Sequence, residues 1–278
     1  MQGILSGAFK ARETTACKYS VGTVTVVGGS VRYSHAPVIA GLGARAAGAG
    51  LVYLAVPEAS RIAAGCLLPE AVFAGTPADC DLPKSDTLVV GMGLGHSPDT
   101  EVAVARVLDG DVKRLVLDAD ALTVLAGRYA SGYRLAPGRE YILTPHEGEA
   151  ARLLGCRREE IAADRTGAAR AIASRYGATV VLKGARTVVM APDGKTIYVN
   201  DGGNPFMALG GMGDLLAGVI GARWAYLKGE PFLAAASSVW LHAAASDRLV
   251  AGNIDPSIVN TAAKIGSMRI ALDQGELP

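Results

Sequence analysis

Gly202-Gly203-Asn204-Pro205-Phe206-Met207-Ala208-Leu209-Gly210-Gly211-Met212-Gly213-Asp214-Leu215-Leu216-Ala217-Gly218 is the stretch from which the rest of the chain is read. Gly210, Gly211, Met212 and Gly213 run straight into an apolar helical pattern that carries one carboxylate, Asp214, in its first turn. Backbone N–H groups without Cβ obstruction can close on an anion, and a helix start adds partial positive charge. A carboxylate beside such a cradle is unfavourable unless it takes a proton from a neighbouring hydroxyl. The other reading is a glycine-capped helix start whose dipole Asp214 complements.

Upstream, short apolar runs end in glycine or polar loops. Thr23–Val27 stops at Gly28-Gly29-Ser30, and Leu51–Val56 follows an Ala/Gly-rich helical segment, Ala36 to Gly50. A further strand is expected near Glu70–Ala74. Thr87–Val90 runs into Gly91-Met92-Gly93-Leu94-Gly95 before a helix opened by Ser97-Pro98, and Leu115–Asp120 ends in two acids. Tyr141–Leu143 leads to Thr144-Pro145-His146-Glu147-Gly148-Glu149, where His146 reads as a site residue and the glutamates also suit the dipole of the next helix. Thr179–Leu182 delivers Lys183-Gly184-Ala185-Arg186-Thr187, cations and a hydroxyl suited to a nucleotide; Val188–Met190 then enters a hairpin turn at Pro192-Asp193-Gly194. Helices are expected at 165–176, 213–228, 231–250 and 257–272. Residues 1–20 are weakly patterned. This alternation predicts an α/β fold with a mostly parallel central sheet and helices on both faces.

Gly41-Leu42-Gly43-Ala44-Arg45-Ala46 matches the letters of a dinucleotide fingerprint, but it sits inside a helix, where close packing explains the glycines better. The phosphate-loop pattern GxxxxGK[ST] is absent, so a nucleotide must be held otherwise.

The chain has 278 residues, half of them hydrophobic, and a net charge of +1. That length supports a sizeable core, and so balanced a charge provides no global field for nucleic acid or a membrane surface. Cys17, Cys66, Cys80 and Cys156 lack metal spacing and read as small core hydrophobes of a reducing compartment. Met1–Leu5 lacks the basic start of a signal peptide, and no apolar run reaches about 18 residues. The cytoplasm is the expected location.

Six motifs in order carry a family resemblance: Gly28-Gly29-Ser30; Gly91-x-Gly93-Leu94-Gly95; Leu117-Asp118-Ala119-Asp120-Ala121-Leu122; Leu143-Thr144-Pro145-His146-x-Gly148-Glu149; Leu182-Lys183-Gly184-Ala185-Arg186-Thr187; and Gly203-Asn204-Pro205 with Gly210–Asp214. Together they resemble the ADP/ATP-dependent NAD(P)H-hydrate dehydratases of the ribokinase-like superfamily. The resemblance implies a single ribokinase-like domain over 1–278, in the stand-alone form of a family often fused to an epimerase. It implies a lyase of metabolite repair that phosphorylates the hydroxyl of (6S)-NAD(P)H hydrate and eliminates phosphate. The products are NAD(P)H, AMP and phosphate.

By the same resemblance Asp214 is the catalytic base, and Gly210, Gly211, Met212 and Gly213 form the anion hole. Ala36, Gly93, His146 and Asp214 bind the hydrate, while Lys183, Gly184, Ala185, Arg186, Thr187 and Gly213 hold the nucleotide. Glu149 matches the position that organises Mg²⁺ in related kinases. ADP is the implied phosphoryl donor, with ATP as the alternative; a homotetramer and a separate NAD(P)H-hydrate epimerase are the implied partners. Tyr33-Ser34-His35-Ala36-Pro37 departs from the family's usual Gly-Ala-Ala helix start, as do Thr23 and Phe206 from its usual histidine and glycine. Two other readings are a vitamin kinase of the same fold, such as a hydroxyethylthiazole kinase, and a non-catalytic nucleotide sensor.

Overall fold

The computed structural model describes residues 7–79, 82 and 84–276. The first elements are β1 (Thr23–Val27), α1 (Ala36–Ala46), β2 (Leu51–Ala55), α2 (Ser60–Leu67) and β3 (Val72–Phe73). Next come β4 (Thr87–Val90), α3 (Pro98–Asp109), β5 (Arg114–Leu117), α4 (Ala119–Ala130) and β6 (Glu140–Leu143). They are followed by α5 (Glu147–Leu154), α6 (Arg158–Ala163), α7 (Arg165–Tyr176) and β7 (Thr179–Leu182). β8 (Val188–Met190) and β9 (Ile197–Val199) form a hairpin, and a 3₁₀ turn at Pro205–Met207 leads to α8 (Met212–Leu227), α9 (Pro231–Ala251) and α10 (Ile258–Asp273).

The strands make one sheet in the order β3-β2-β1-β4-β5-β6-β7-β8-β9, parallel from β3 to β7 and antiparallel beyond. Successive strand residues point to opposite faces. Val89, Val116, Ile142, Val181 and Val189 therefore join one core beneath α1, α8, α9 and α10. Leu88, Val90, Leu115, Leu117, Leu143, Val180 and Leu182 join a second core beneath α3, α4, α5 and α7. Because both faces are covered, β4 to β7 read as hydrophobic runs after a polar first residue, while β1 alternates Thr23 and Thr25 with valines, the two hydroxyls being bonded to Asp86 and Ser85.

Gly43 and Gly218 let α1 lie directly on α8. A Cβ on Gly218 would overlap the Ala40 carbonyl oxygen, and one on Gly43 the Leu215 carbonyl oxygen. The fingerprint-like letters in α1 thus serve helix packing, as their position within a helix implies. Gly218→Ala is expected to cost about 3 kcal/mol or more, because backbone rather than a movable side chain must give way. Chemical denaturation of the variant measures it.

Strand order reverses between β1, which is followed by β2 and β3 on one side, and β4, which opens the other side. In open parallel sheets ligands bind at the carboxyl ends of strands around this reversal. The loops Gly28–Ser30 and Gly91–Gly95 leave those two ends.

Several boundaries differ from the sequence reading. The strand expected at Glu70–Ala74 is only Val72–Phe73, an edge pairing with β2. β5 stops at Leu117, so Asp118 and Asp120 belong to the start of α4. α1 ends at Ala46 instead of Gly50. Two of the cysteines are not core hydrophobes: Cys17 and Cys66 are exposed, whereas Cys156 is half-buried and packs against the second core; none of the three is paired. Cys80 and Met1–Leu5 lie outside the described residues. Among the described residues no helix is long and apolar enough to cross a membrane.

Candidate active site

The carboxyl edge of the sheet delivers a cluster of charged side chains to the start of α8. Gly211, the residue before that helix, has a left-handed backbone (φ +97°), and no side chain caps the helix. The Met212 N–H turns back to the Leu209 carbonyl at 3.3 Å, so the N–H groups a ligand would meet are those that follow it, from Gly213 on. Lys183 follows β7, and a Cβ placed on Gly213 would lie 3.4 Å from its Nζ. The ammonium and the helix start thus face the same point.

Asp118, at the end of β5, accepts a 2.6 Å charge-assisted hydrogen bond from Lys183 Nζ and is 1 % exposed. Although it precedes α4, its side chain caps nothing there. Glu149 Oε2 stands 4.0 Å from the same ammonium. Burial works to lower the Lys183 pKa, but Asp118, Glu149 and Asp214 outweigh it and hold the charge on the lysine. For Asp214 the balance goes the other way. Burial, then the neighbouring Asp118 charge, push its pKa up to about 7 against the opposing pull of Lys183. That is where a general base works best at neutral pH.

His146 is the N-cap of α5. Its Nδ1 accepts from Gly148 N (2.9 Å) and Glu149 N (3.2 Å), while Glu149 Oε2 accepts from His146 N (2.8 Å), closing a capping box. An accepting Nδ1 places the proton of the neutral ring on Nε2, which lies 3.3 Å from Glu149 Oε1. Burial, with Lys183 nearby, holds the His146 pKa below its ordinary value, in keeping with that neutral form. Among the described residues no three His, Cys, Asp or Glu side chains gather as a metal-binding group.

Two cavities meet at the first turn of α8. One, of about 590 Å³, is lined by Lys183, Gly184, Ala185, Arg186, Thr187, Met212 and Gly213, with Asn200, Asn204 and His242 on further walls. The other, of about 470 Å³, is lined by Ala36, Gly93, Asp120 and Asp214. Consecutive residues therefore face different chambers: Gly213 the first and Asp214 the second. The proposed nucleotide residues all line the larger chamber. Of the four proposed hydrate residues, Ala36, Gly93 and Asp214 share the smaller one; His146 lines neither and reaches the site through Glu149 and Lys183. Gly210 and Gly211 lie in the loop before the helix.

A family model described as NAD(P)H-hydrate dehydratase matches residues 24–264. This chain belongs to the NAD(P)H-hydrate dehydratase family. It is 42 % identical over 271 residues to a Neisseria meningitidis ADP-dependent (S)-NAD(P)H-hydrate dehydratase, covering 90 % of this chain and 88 % of that one. It is 46 % identical over 255 residues to a bifunctional NAD(P)H-hydrate repair enzyme of Gloeobacter violaceus, covering 87 % of this chain but 48 % of that protein. The chain thus spans about half the length of such bifunctional relatives. Its fold is ribokinase-like. The Bacillus subtilis ADP/ATP-dependent NAD(P)H-hydrate dehydratase, co-crystallised with ATP/Mg²⁺, superposes with a TM-score of 0.84 at 27 % identity, over 98 % of this chain and 96 % of that one.

In this member of the NAD(P)H-hydrate dehydratase family, sequence reasoning missed the partner of Lys183 and most of the larger chamber's far wall. Asn204 donates to Asp247 Oδ1 (2.8 Å) and Ser246 Oγ (3.0 Å), fixing the Gly203–Pro205 loop on α9. His242, buried on α9, has a pKa lowered by burial to about 4 and is neutral. No local pattern joins α9 to that loop; the Asn-Pro pair was the one available signal.

Proposed function

We propose that this chain is an ADP-dependent (6S)-NAD(P)H-hydrate dehydratase of metabolite repair. The observation that carries the reading is the division of labour at α8, where Gly213 faces the nucleotide chamber and Asp214 the chamber beside Ala36 and Gly93. A phosphoryl donor in one chamber and an alcohol in the other meet across a single helical turn.

Hydroxide is a poor leaving group at neutral pH, whereas phosphate is a good one. Asp214 takes the proton of the hydrate's hydroxyl, and that oxygen attacks the terminal phosphorus of ADP. The bond from this phosphorus to the bridging oxygen breaks, and AMP leaves. N–H groups at the start of α8 and the Lys183 ammonium stabilise the charge on the transferring group. The ring carbon then releases phosphate with its bonding pair, and loss of a proton from the adjacent carbon restores the double bond. The hydrate and ADP become NAD(P)H, AMP and phosphate.

A Mg²⁺ ion arriving on the nucleotide would neutralise phosphate charge; Glu149, a hard-oxygen donor that lines neither chamber and already accepts from the His146 N–H, would reach it through the ion's waters. The His146 ring orients Glu149 through the capping box and so supports the site at one remove. The same reading takes 1–278 as one domain, working in the cytoplasm as a homotetramer beside a separate NAD(P)H-hydrate epimerase. The bifunctional relatives support that pairing.

Incubating purified protein with NADH hydrate and ADP, and following the return of NADH absorbance together with AMP, tests the reaction. Recovery of absorbance in step with AMP is expected. AMP without NADH would identify a kinase that stops at the phosphate ester, and neither product would identify a binding protein. ATP in place of ADP tests the choice of donor.

A further inference from the structure

A dinucleotide whose hydrated ring lies beside Asp214 needs room for its second nucleotide. The chamber there holds about 470 Å³, and the space beyond α8 belongs to the phosphoryl donor. Gly95 and His96, which line the Asp214 chamber, also line a groove of about 840 Å³ between α3 and α4. The two spaces are therefore adjoining. The groove's floor includes Val124 and Gly127, and its far walls carry Glu101 and Arg128.

Gly127 stands inside α4, three residues before the end of that helix, where glycine costs about 0.5–1 kcal/mol relative to alanine. A Cβ there would meet nothing within 4 Å, so packing does not demand the glycine. Its effect is to leave the groove open.

Charge points the same way. The Asp214 chamber is lined by the carboxylates of Asp214 and Asp120, with Arg32 and His96 as its cationic or protonatable members. His96 Nε2 is 4.0 Å from Asp120 Oδ1. Among the described residues Arg32 has no carboxylate in ion-pair range; its guanidinium lies 5.3 Å from the centre of the Tyr33 ring. An exposed, uncompensated guanidinium at the mouth of an acidic chamber suits a phosphate oxygen. Arg128, in contrast, is already paired with Asp109 at 3.1 Å. Glu101 suits ribose hydroxyls better than phosphates.

We propose that the substrate's second nucleotide leaves the Asp214 chamber past His96 and lies in the α3–α4 groove, with Arg32 holding the diphosphate at the junction. This rests on the dehydratase reading above.

The test compares NADH hydrate with the hydrate of reduced nicotinamide mononucleotide, which lacks the second nucleotide, at saturating ADP. Gly127→Gln fills the groove while improving helix propensity, and Arg32→Ala removes the junction cation. Gly127→Gln is expected to raise the ratio of the dinucleotide KM to the mononucleotide KM about tenfold. Arg32→Ala removes a cation that the mononucleotide's own phosphate also meets, so it is expected to raise both KM values about tenfold, the scale of one lost charge-assisted hydrogen bond. Unchanged KM values in Arg32→Ala overturn the place given to Arg32. Melting curves establish that both variants are folded. An unchanged ratio in Gly127→Gln overturns the groove while leaving the activity standing. A change of oligomeric state in that variant, without a change of ratio, would assign the groove to a second copy of this chain and likewise overturn the proposal. A wild-type protein that turns over neither hydrate overturns the functional reading and this one with it.

Discussion

Asp214→Asn is expected to lower kcat about 10²–10⁴-fold, the usual worth of a positioned general base, while ADP binds at least as tightly as before. Asparagine keeps the side chain's shape and removes the proton acceptor. It also removes a negative charge from the neighbourhood of the diphosphate, so a loss of nucleotide affinity is not expected. Single-turnover kinetics with titration of ADP binding separate the two effects. A nucleotide sensor would lose nothing measurable in either.

The pKa of Asp214 sets the direction of two further responses. With the ionised carboxylate as the working form of the proposed base, wild-type activity is expected to rise with pH up to about 7 and then level. Stability runs the opposite way. The folded-state pKa lies above the ordinary 3.8, so the stability linked to this group is complete below about 3.8 and is lost as pH rises through about 7. At pH 8 Asp214→Asn should therefore melt above the wild type, and at pH 3.5 the two should nearly coincide. A variant that is more stable and less active only at the higher pH is the signature of a carboxylate kept for chemistry.

The second large effect belongs to Asp118. Its carboxylate is buried, and its recorded partner is the Lys183 ammonium at 2.6 Å. Asp118→Ala leaves that ammonium undercompensated and should cost about 3–5 kcal/mol in chemical denaturation. Asp118→Asn keeps an oxygen on the ammonium and should cost less. Because the Asp118 charge is the second cause, after burial, that raises the Asp214 pKa, the Asn variant should also move the acid limb of the activity profile to lower pH. A residue needed only for folding would leave that limb in place.

The sheet was legible because its strands are apolar on both faces. Leu88, Val89 and Val90 need no periodicity to be recognised, and the glycine loops that follow mark the carboxyl edge. Edge pieces were harder. Val72–Phe73 is held by pairing with β2 rather than by its own composition, and Ile197–Val199 is exposed at Ile197, so neither carries the signature of a buried strand.

In the site, residues close in sequence were found together. Lys183 to Thr187 and Gly213 do line one chamber. What could not be read was pairing across distance: Asp118 and Lys183 are 65 residues apart, and in the letters Asp118 is only one of two acids at the end of an apolar run. His146 drew attention as a ligand-binding group because a histidine among glutamates suggests chemistry. Its immediate work is to cap α5, a role that depends on ring geometry invisible in the letters.

The central claim is that the terminal phosphate of the donor meets the start of α8 between Lys183 and Asp214. A crystal structure of the complex with ADP decides it. The account predicts the β-phosphate against the Gly213 N–H and Lys183 Nζ, with adenine toward the Asn200–Asn204 wall and the Asp214 chamber open to the phosphorus. A diphosphate lodged at the far end of the nucleotide chamber, with the base against Lys183, would contradict it.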